Sequence, residues 1–409
     1  MKFQISAITK EGCRRGVIRE LGCHGNLYIN TPACLLYMRA GAVPHLTGDL
    51  VESLKEKPQS VHLTISTLVD QHDTLFQFGK GIAQFTGLQS GVTFVGVQDP
   101  AHPCPTGYND KQSVSVFTPA GRTKLDVDLF MSLQEAIQPD WFEAMCDGDT
   151  PLGCSMKRTK KSVDRTLDFL DQCLEVKQKS EILKKAGILG VIEGGQVLSE
   201  RVRSAKETAL RPVAGFVLDA FSDLQVETNS RWQLMALVVK ELPQEKPRML
   251  TSVGRPDNVL RAIEEGVDLF DSAYTYEVTE RGCALVFPIK TREQREVADE
   301  KTSAAYRSQN TPQIDGCGGG KTDPRFELDL SEKRFIEDNN PIVAGCDCYS
   351  CSHHTRGYIN HLLNVNELLA KVLLMNHNCH HYYQFFRSIR TSLEEDTFQQ
   401  LKNTVTGER

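Results

Sequence analysis

The stretch from Arg248 to Ser272, RMLTSVGRPDNVLRAIEEGVDLFDS, contains a whole strand, helix and strand. MLTSVG is apolar and strand-like, and Pro256-Asp257-Asn258 supplies a helix start, because proline fits a first turn where its missing N–H costs nothing. VLRAIEEG spaces its apolar residues for one helical face and stops at a glycine, and VDLF returns as an apolar strand. Further toward the N-terminus, GILGVI (Gly187 to Ile192) and GFVLDAF (Gly215 to Phe221) are apolar runs of the kind buried on both faces of a parallel sheet. They flank SERVRSAKETA, which has helical spacing. Repeated βα units of this length predict an α/β fold, a parallel barrel in preference to a sandwich.

At 409 residues the chain is long enough for such a barrel plus an appended module. Residues 1–340 are expected to form the barrel and 341–409 a module that holds a cysteine cluster and the C-terminal helices. From Lys290 to Pro324 the sequence turns polar and poor in large apolar residues, so it cannot offset the entropy of ordering. It is expected to be a disordered surface insertion, 290–324. Its GCGGGKT is no phosphate loop, since Asp315 stands where the pattern requires glycine and no strand precedes it.

The charge count, 47 basic against 53 acidic side chains, gives no global attraction to phosphate backbones. A free-standing nucleic-acid binder is disfavoured, the more so as no Arg/Lys-rich face surrounds Cys346 to His377. The first twenty residues alternate apolar and charged positions, without the apolar core of a signal peptide, and no run of 18 uninterrupted apolar residues occurs. Thirteen cysteines, mostly scattered singly, suit a reducing compartment. The expectation is a soluble, cytoplasmic protein.

Cys346, Cys348 and Cys351 fit inside one knuckle, where soft thiolates suit Zn²⁺ in a tetrahedral shell that needs one more ligand. A helix beginning near Thr355, with Leu362, Val365, Leu369, Val372 and Leu373 on one face, would carry His377 back to serve as the fourth. Four protein ligands leave no open position, so the ion would be structural. Spacing alone also allows three free thiols and an unrelated core histidine. His353, His354, His361, His380 and His381 compete, and His381, one turn past His377, is the strongest rival.

The setting GCDCYSC...HTRGYINHLL...NELL...LLMNHN, with 25 residues between Cys351 and His377, closely resembles the zinc module of tRNA-guanine transglycosylases. VIEGGQ (Val191 to Gln196), Ala214-Gly215-Phe216, GVDLFDS (Gly266 to Ser272) and ERGCALVF (Glu280 to Phe287) follow in the order of that family. The resemblance implies a (β/α)8 TIM-type barrel with a zinc insertion and assigns Cys346, Cys348, Cys351 and His377 as ligands. It implies chemistry in which an aspartate attacks C1′ of a tRNA ribose, guanine leaves and a deazaguanine enters. By motif position the nucleophile's counterpart is Asp271, the second carboxylate's is Asp110, and the base-pocket counterparts are Asp147, Glu193 and Gly215.

Around these acids the family pattern is lost. Lys111-Gln112-Ser113 replaces a Gly-Gly turn that lets backbone approach the base. Glu193 replaces a base-reading glutamine, exchanging a donor-acceptor amide for an acceptor-only carboxylate. Glu277 and Glu280 stand where arginines grip the anticodon loop, so cations have become anions. CLLYMRAGAVPHLT, SVDRTLDFLD and RPVAGFVLDAF likewise resemble a non-catalytic branch of the family. The resemblance to that branch implies a heterodimer with the catalytic subunit of queuine tRNA-ribosyltransferase, contact with tRNA through the complex, and an expected peripheral association with the cytoplasmic face of the mitochondrial outer membrane. The competing expectation is a working transglycosylase with Asp271 as nucleophile and Asp110 as general base; in the non-catalytic reading Asp271 is a remnant that caps the turn after it.

Overall fold

The computed structural model describes residues 2–21, 25–88, 91–219, 221, 228–289 and 323–408. The chain divides into two compact units, one comprising 1–42, 58–253 and 261–271, the other 43–57, 254–260 and 272–409. The boundary expected at 340/341 falls inside the second. Most of the insertion expected at 290–324, including its GCGGGKT, lies outside the described residues.

In the first unit, β1 (Lys2–Ile8), β2 (Arg14–Leu21) and β3 (Leu27–Thr31) form an antiparallel sheet. The alternation of apolar and charged residues at the N-terminus is therefore that of a sheet with one wet face. The strands β4 (Ala33–Tyr37), β5 (Ser60–Thr64), β6 (Val92–Gly96), β9 (Trp141–Glu143), β10 (Gly187–Ile192), β11 (Gly215–Leu218), β12 (Arg248–Leu250) and β13 (Leu269–Asp271) close into a barrel. Every pairing is parallel and neighbours follow chain order, with Leu269 opposite Ala33 across the closure. Between β6 and β9, β7 (Val114–Thr118) and β8 (Gly121–Leu125) make a hairpin.

GILGVI is β10 over its whole predicted length, whereas GFVLDAF yields a strand only as far as Leu218. The expected βαβ unit is realised as β12, the helix Pro256–Glu264 and β13. Inside the barrel Leu35, Phe94, Trp141, Leu189, Val191, Val217, Met249 and Leu269 pack with Ile18, Leu21 and Ile29 of the antiparallel sheet. That sheet plugs the barrel with side chains, so the interior is a packed core. Gly190 shows how tightly the outer layer sits: a Cβ there would lie 2.3 Å from Thr208 Cγ2 on the helix Leu198–Ala209.

In the second unit β14 (Cys283–Leu285) pairs antiparallel with β15 (Glu327–Asp329). The long helical pattern after Cys351 is two helices, which corrects the expectation of one. Thr355 caps Arg356–Asn364 by accepting Tyr358 N–H, and a second helix runs from Leu368 to Glu394. Asn366 breaks the path with φ +58°, a left-handed conformation asparagine tolerates better than most residues. The break also divides the expected apolar face: Leu362 and Leu373 are buried, but Val365 and Leu369 are exposed.

Candidate functional site

Cys346, Cys348, Cys351 and His377 come together as a group able to hold a metal ion. Cys348 caps the short helix Tyr349–His353 by accepting the Cys351 N–H at 3.3 Å, which turns the loop so that three sulfurs face one point. His377 Nδ1 lies 3.9, 3.5 and 3.4 Å from the sulfurs of Cys346, Cys348 and Cys351. A tetrahedral ion with zinc-length bonds requires a nitrogen–sulfur spacing of about 3.6 Å, so the donor set fits. His377 Nε2 donates to the Leu285 carbonyl at 2.9 Å, which fixes the tautomer that leaves Nδ1 free to ligate.

The neighbouring histidines have other work. His381 Nε2 donates to the Phe287 carbonyl at 2.8 Å, and His380 pairs with Asp347 at 3.1 Å. Asn378 accepts the Leu285 N–H and donates to the Cys283 carbonyl. One turn of the helix Leu368–Glu394 thus fastens β14 and the residues after it while presenting a ligand.

The second group lies at the C-terminal ends of the barrel strands, where barrels of this type carry their chemistry. Glu143 ends β9, Glu193 follows β10, and Asp219 follows β11. Glu143 is buried and pushed up to about 8, by burial first and by Asp219 second. Glu193 is fully buried, neither carboxylate oxygen has a hydrogen-bond donor among the described residues, and burial followed by the Asp219 charge raises it well above the usual carboxylate range. Arg201, also fully buried, donates to the Ile192 and Gly195 carbonyls and so locks the turn after β10.

Asp147, expected in a base pocket, is saturated: Arg158 binds both of its oxygens at 2.9 and 2.6 Å, Arg165 adds a contact at 2.9 Å and Asn109 another at 3.0 Å. Asp110 accepts the N–H groups of Gln112 and Ser113 and pairs with Lys124 at 3.0 Å. The Gln112 N–H and Lys124 hold its carboxyl well below the usual range, the opposite of what a general base near neutrality requires. Asp271 is buried at the end of β13 and accepts the Ser252 N–H at 2.7 Å. Gly215 opens β11 at the other end of the barrel from Glu193 and Asp271. Glycine is needed there because a Cβ would meet the Pro247 carbonyl oxygen at 2.8 Å. Glu280 is not a bare anion, since Lys371 pairs with it at 2.9 Å and His45 Nε2 donates a hydrogen bond to it at 2.6 Å. Sequence reasoning missed Glu143, Cys146, Asp219 and Arg201; an acid at the end of an apolar strand was the available signal for Glu143 and Asp219.

Comparison with known proteins gives one consistent result. The family model described as queuine tRNA-ribosyltransferase matches residues 10–409. The chain is 44% identical to the queuine tRNA-ribosyltransferase accessory subunit 2 of Homo sapiens, covering 99% of each chain. It is 43% identical to the protein of that name from Xenopus laevis, again over 99% of each, and 39% identical to that from Ixodes scapularis over 90% of each.

Proposed function

The chain belongs to the queuine tRNA-ribosyltransferase family, and from that premise we propose that it is the non-catalytic accessory subunit of a heterodimeric enzyme. In this reading a catalytic partner exchanges guanine for queuine at wobble position 34 of tRNAs with GUN anticodons, those for Asp, Asn, His and Tyr. This chain supports the partner and meets tRNA through the complex. The carrying observation is the full-length match to relatives named accessory subunit. The acids support it: Asp110 is spent on its own turn and Lys124, and Asp147 on two arginines, so neither is free to act as base or base reader.

The metal in this reading is one structural Zn²⁺ on Cys346, Cys348, Cys351 and His377. When bound, it crosslinks the cysteine loop to the helix Leu368–Glu394 and so holds a surface in shape. That surface offers a stack of Tyr349, His353, His354 and Tyr358, with Val365, Leu368 and Leu369 exposed at the helix break. Leu368 is 80% exposed, an arrangement with a purpose if a partner covers it. We place the catalytic subunit there. The location that goes with this reading is cytoplasmic, with peripheral docking on the mitochondrial outer membrane; no described helix is long and apolar enough to cross a membrane.

The test follows labelled guanine out of a GUN-anticodon tRNA with this chain alone, a catalytic subunit alone, and the two mixed. Exchange dependent on the mixture and unchanged by Asp271→Ala in this chain is expected. Exchange by this chain alone, lost in Asp271→Ala, would overturn the reading in favour of a working transglycosylase.

A further inference from the structure

We propose a second metal site in this chain, at the mouth of the barrel: Cys146 Sγ and carboxylate oxygens of Glu193 and Asp219 converge to bind one divalent cation of zinc's class. Their ligand atoms all lie within 4.8 Å of one another. Cys146 and Glu193 are buried, and Asp219 is partly open, which provides an entry side. The convergence is built into the backbone. A Cβ on Gly148 would stand 2.6 Å from Asp219 Oδ2 and 3.2 Å from Glu193 Oε1, so both carboxylates press against one bare α-carbon.

The independent sign of a ligand is the state of Glu193. A fully buried carboxylate without a hydrogen-bond donor costs several kcal/mol unless a proton, a guanidinium or a metal satisfies it. Arg201, whose charge acts on Glu193, commits Nε and Nη1 to backbone carbonyls, and its buried Nη2 makes no hydrogen bond to Glu193. Contrast Asp147 next door, where two arginines and an asparagine satisfy the same kind of group completely. Without a cation, burial keeps protons on Cys146 and Glu193. A bound cation displaces them to solvent, and the resulting thiolate and two carboxylates, set against one arginine, carry a double negative charge that a single divalent cation cancels. Glu143 Oε1 stands 3.7 Å from Cys146 Sγ and can support the thiolate ligand or complete the shell. A thiolate with carboxylates favours zinc or cobalt over magnesium or calcium, which take oxygen only.

The test uses full-length protein with its C-terminal centre already loaded. After dialysis against free Zn²⁺ under reducing conditions, metal is counted by mass spectrometry. About two ions per chain are expected in the wild type, falling to about one in Cys146→Ser and in Asp219→Asn, as each removes one of three ligands. Substituting Co²⁺ should add a thiolate-to-metal absorption in the near ultraviolet that Cys146→Ser removes. Asp219 is the least buried ligand, so Asp219→Asn serves if Cys146→Ser does not fold. One ion per chain in wild type at saturating Zn²⁺ overturns the proposal, as do two ions in a folded Asp219→Asn variant with an unchanged cobalt spectrum.

Discussion

Replacing His377 by alanine separates a metal-ligating histidine from a merely buried one. The imidazole is fully buried, with Nδ1 among three sulfurs and Nε2 on the Leu285 carbonyl. Its loss leaves that carbonyl without its imidazole donor, at about 1–3 kcal/mol. It also opens a cavity where a ring was, at roughly 2–4 kcal/mol by analogy with other large-to-small core changes. The metal then has three ligands instead of four, which lowers its affinity further. The sum is about 3–7 kcal/mol, a fall of roughly 6–28 °C in the transition of the second unit. The control is His381→Ala, which removes an equally buried ring with the matching bond to the Phe287 carbonyl but no ligand. Differential scanning calorimetry with and without chelator is the assay, with zinc counted on each protein. Wild type and His381→Ala should bind zinc and lose stability to chelator, whereas His377→Ala should be indifferent to it. If His377→Ala keeps a full zinc equivalent and the chelator response of the wild type, His377 is not a ligand.

Other outcomes follow from the same reasoning. Burial pushes Asp268 up to about 6 against the pull of Arg14, so the folded state holds its proton more tightly than the unfolded chain does. The stability this contributes is full below about pH 4 and lost as pH rises through 6, on the order of 3 kcal/mol. In urea titrations the stability of wild type relative to Asp268→Asn should therefore decline across that window, and a rise would refute the assignment. Gly254→Ala would put a Cβ 2.1 Å from Tyr274 Cβ and should lower the melting temperature by an amount equivalent to about 1–3 kcal/mol or more, visible by circular dichroism. Leu368→Asp should leave melting and zinc content unchanged while weakening binding to a catalytic subunit at least about tenfold by calorimetry; unaltered binding would move the interface elsewhere.

The parts of the fold legible in the sequence are those whose cause is local. GILGVI is an apolar run bounded by glycine, and it is a strand wherever a parallel sheet needs one. The knuckle of Cys346, Cys348 and Cys351 is set by covalent spacing and one capping sulfur, so composition and interval announce it. The helix break at Asn366 was not legible, because NVNELL keeps helical spacing and a single left-handed residue leaves no trace in the pattern of apolar positions. Nor was the fate of Glu280, which is paired with Lys371 and hydrogen-bonded by His45, both from far along the chain.

By itself the sequence determined the alternation of strands and helices, the family and the four candidate ligands, since periodicity, motif order and cysteine spacing are properties of neighbours along the chain. Only the tertiary structure decided which carboxylates are free. Asp147, Asp110 and Glu193 are equally acidic on paper, but the helix Met156–Lys179 gives Asp147 two arginines, Asp110 folds into its own turn, and closure of the barrel leaves Glu193 buried beside Cys146 and Asp219 with no donor among the described residues. A carboxylate's chemistry is set by the groups brought to within a few ångströms of it: for Asp110 and Asp147 these come from the turn and the helix that follow, and for Glu193 from the ends of neighbouring strands that only barrel closure brings together.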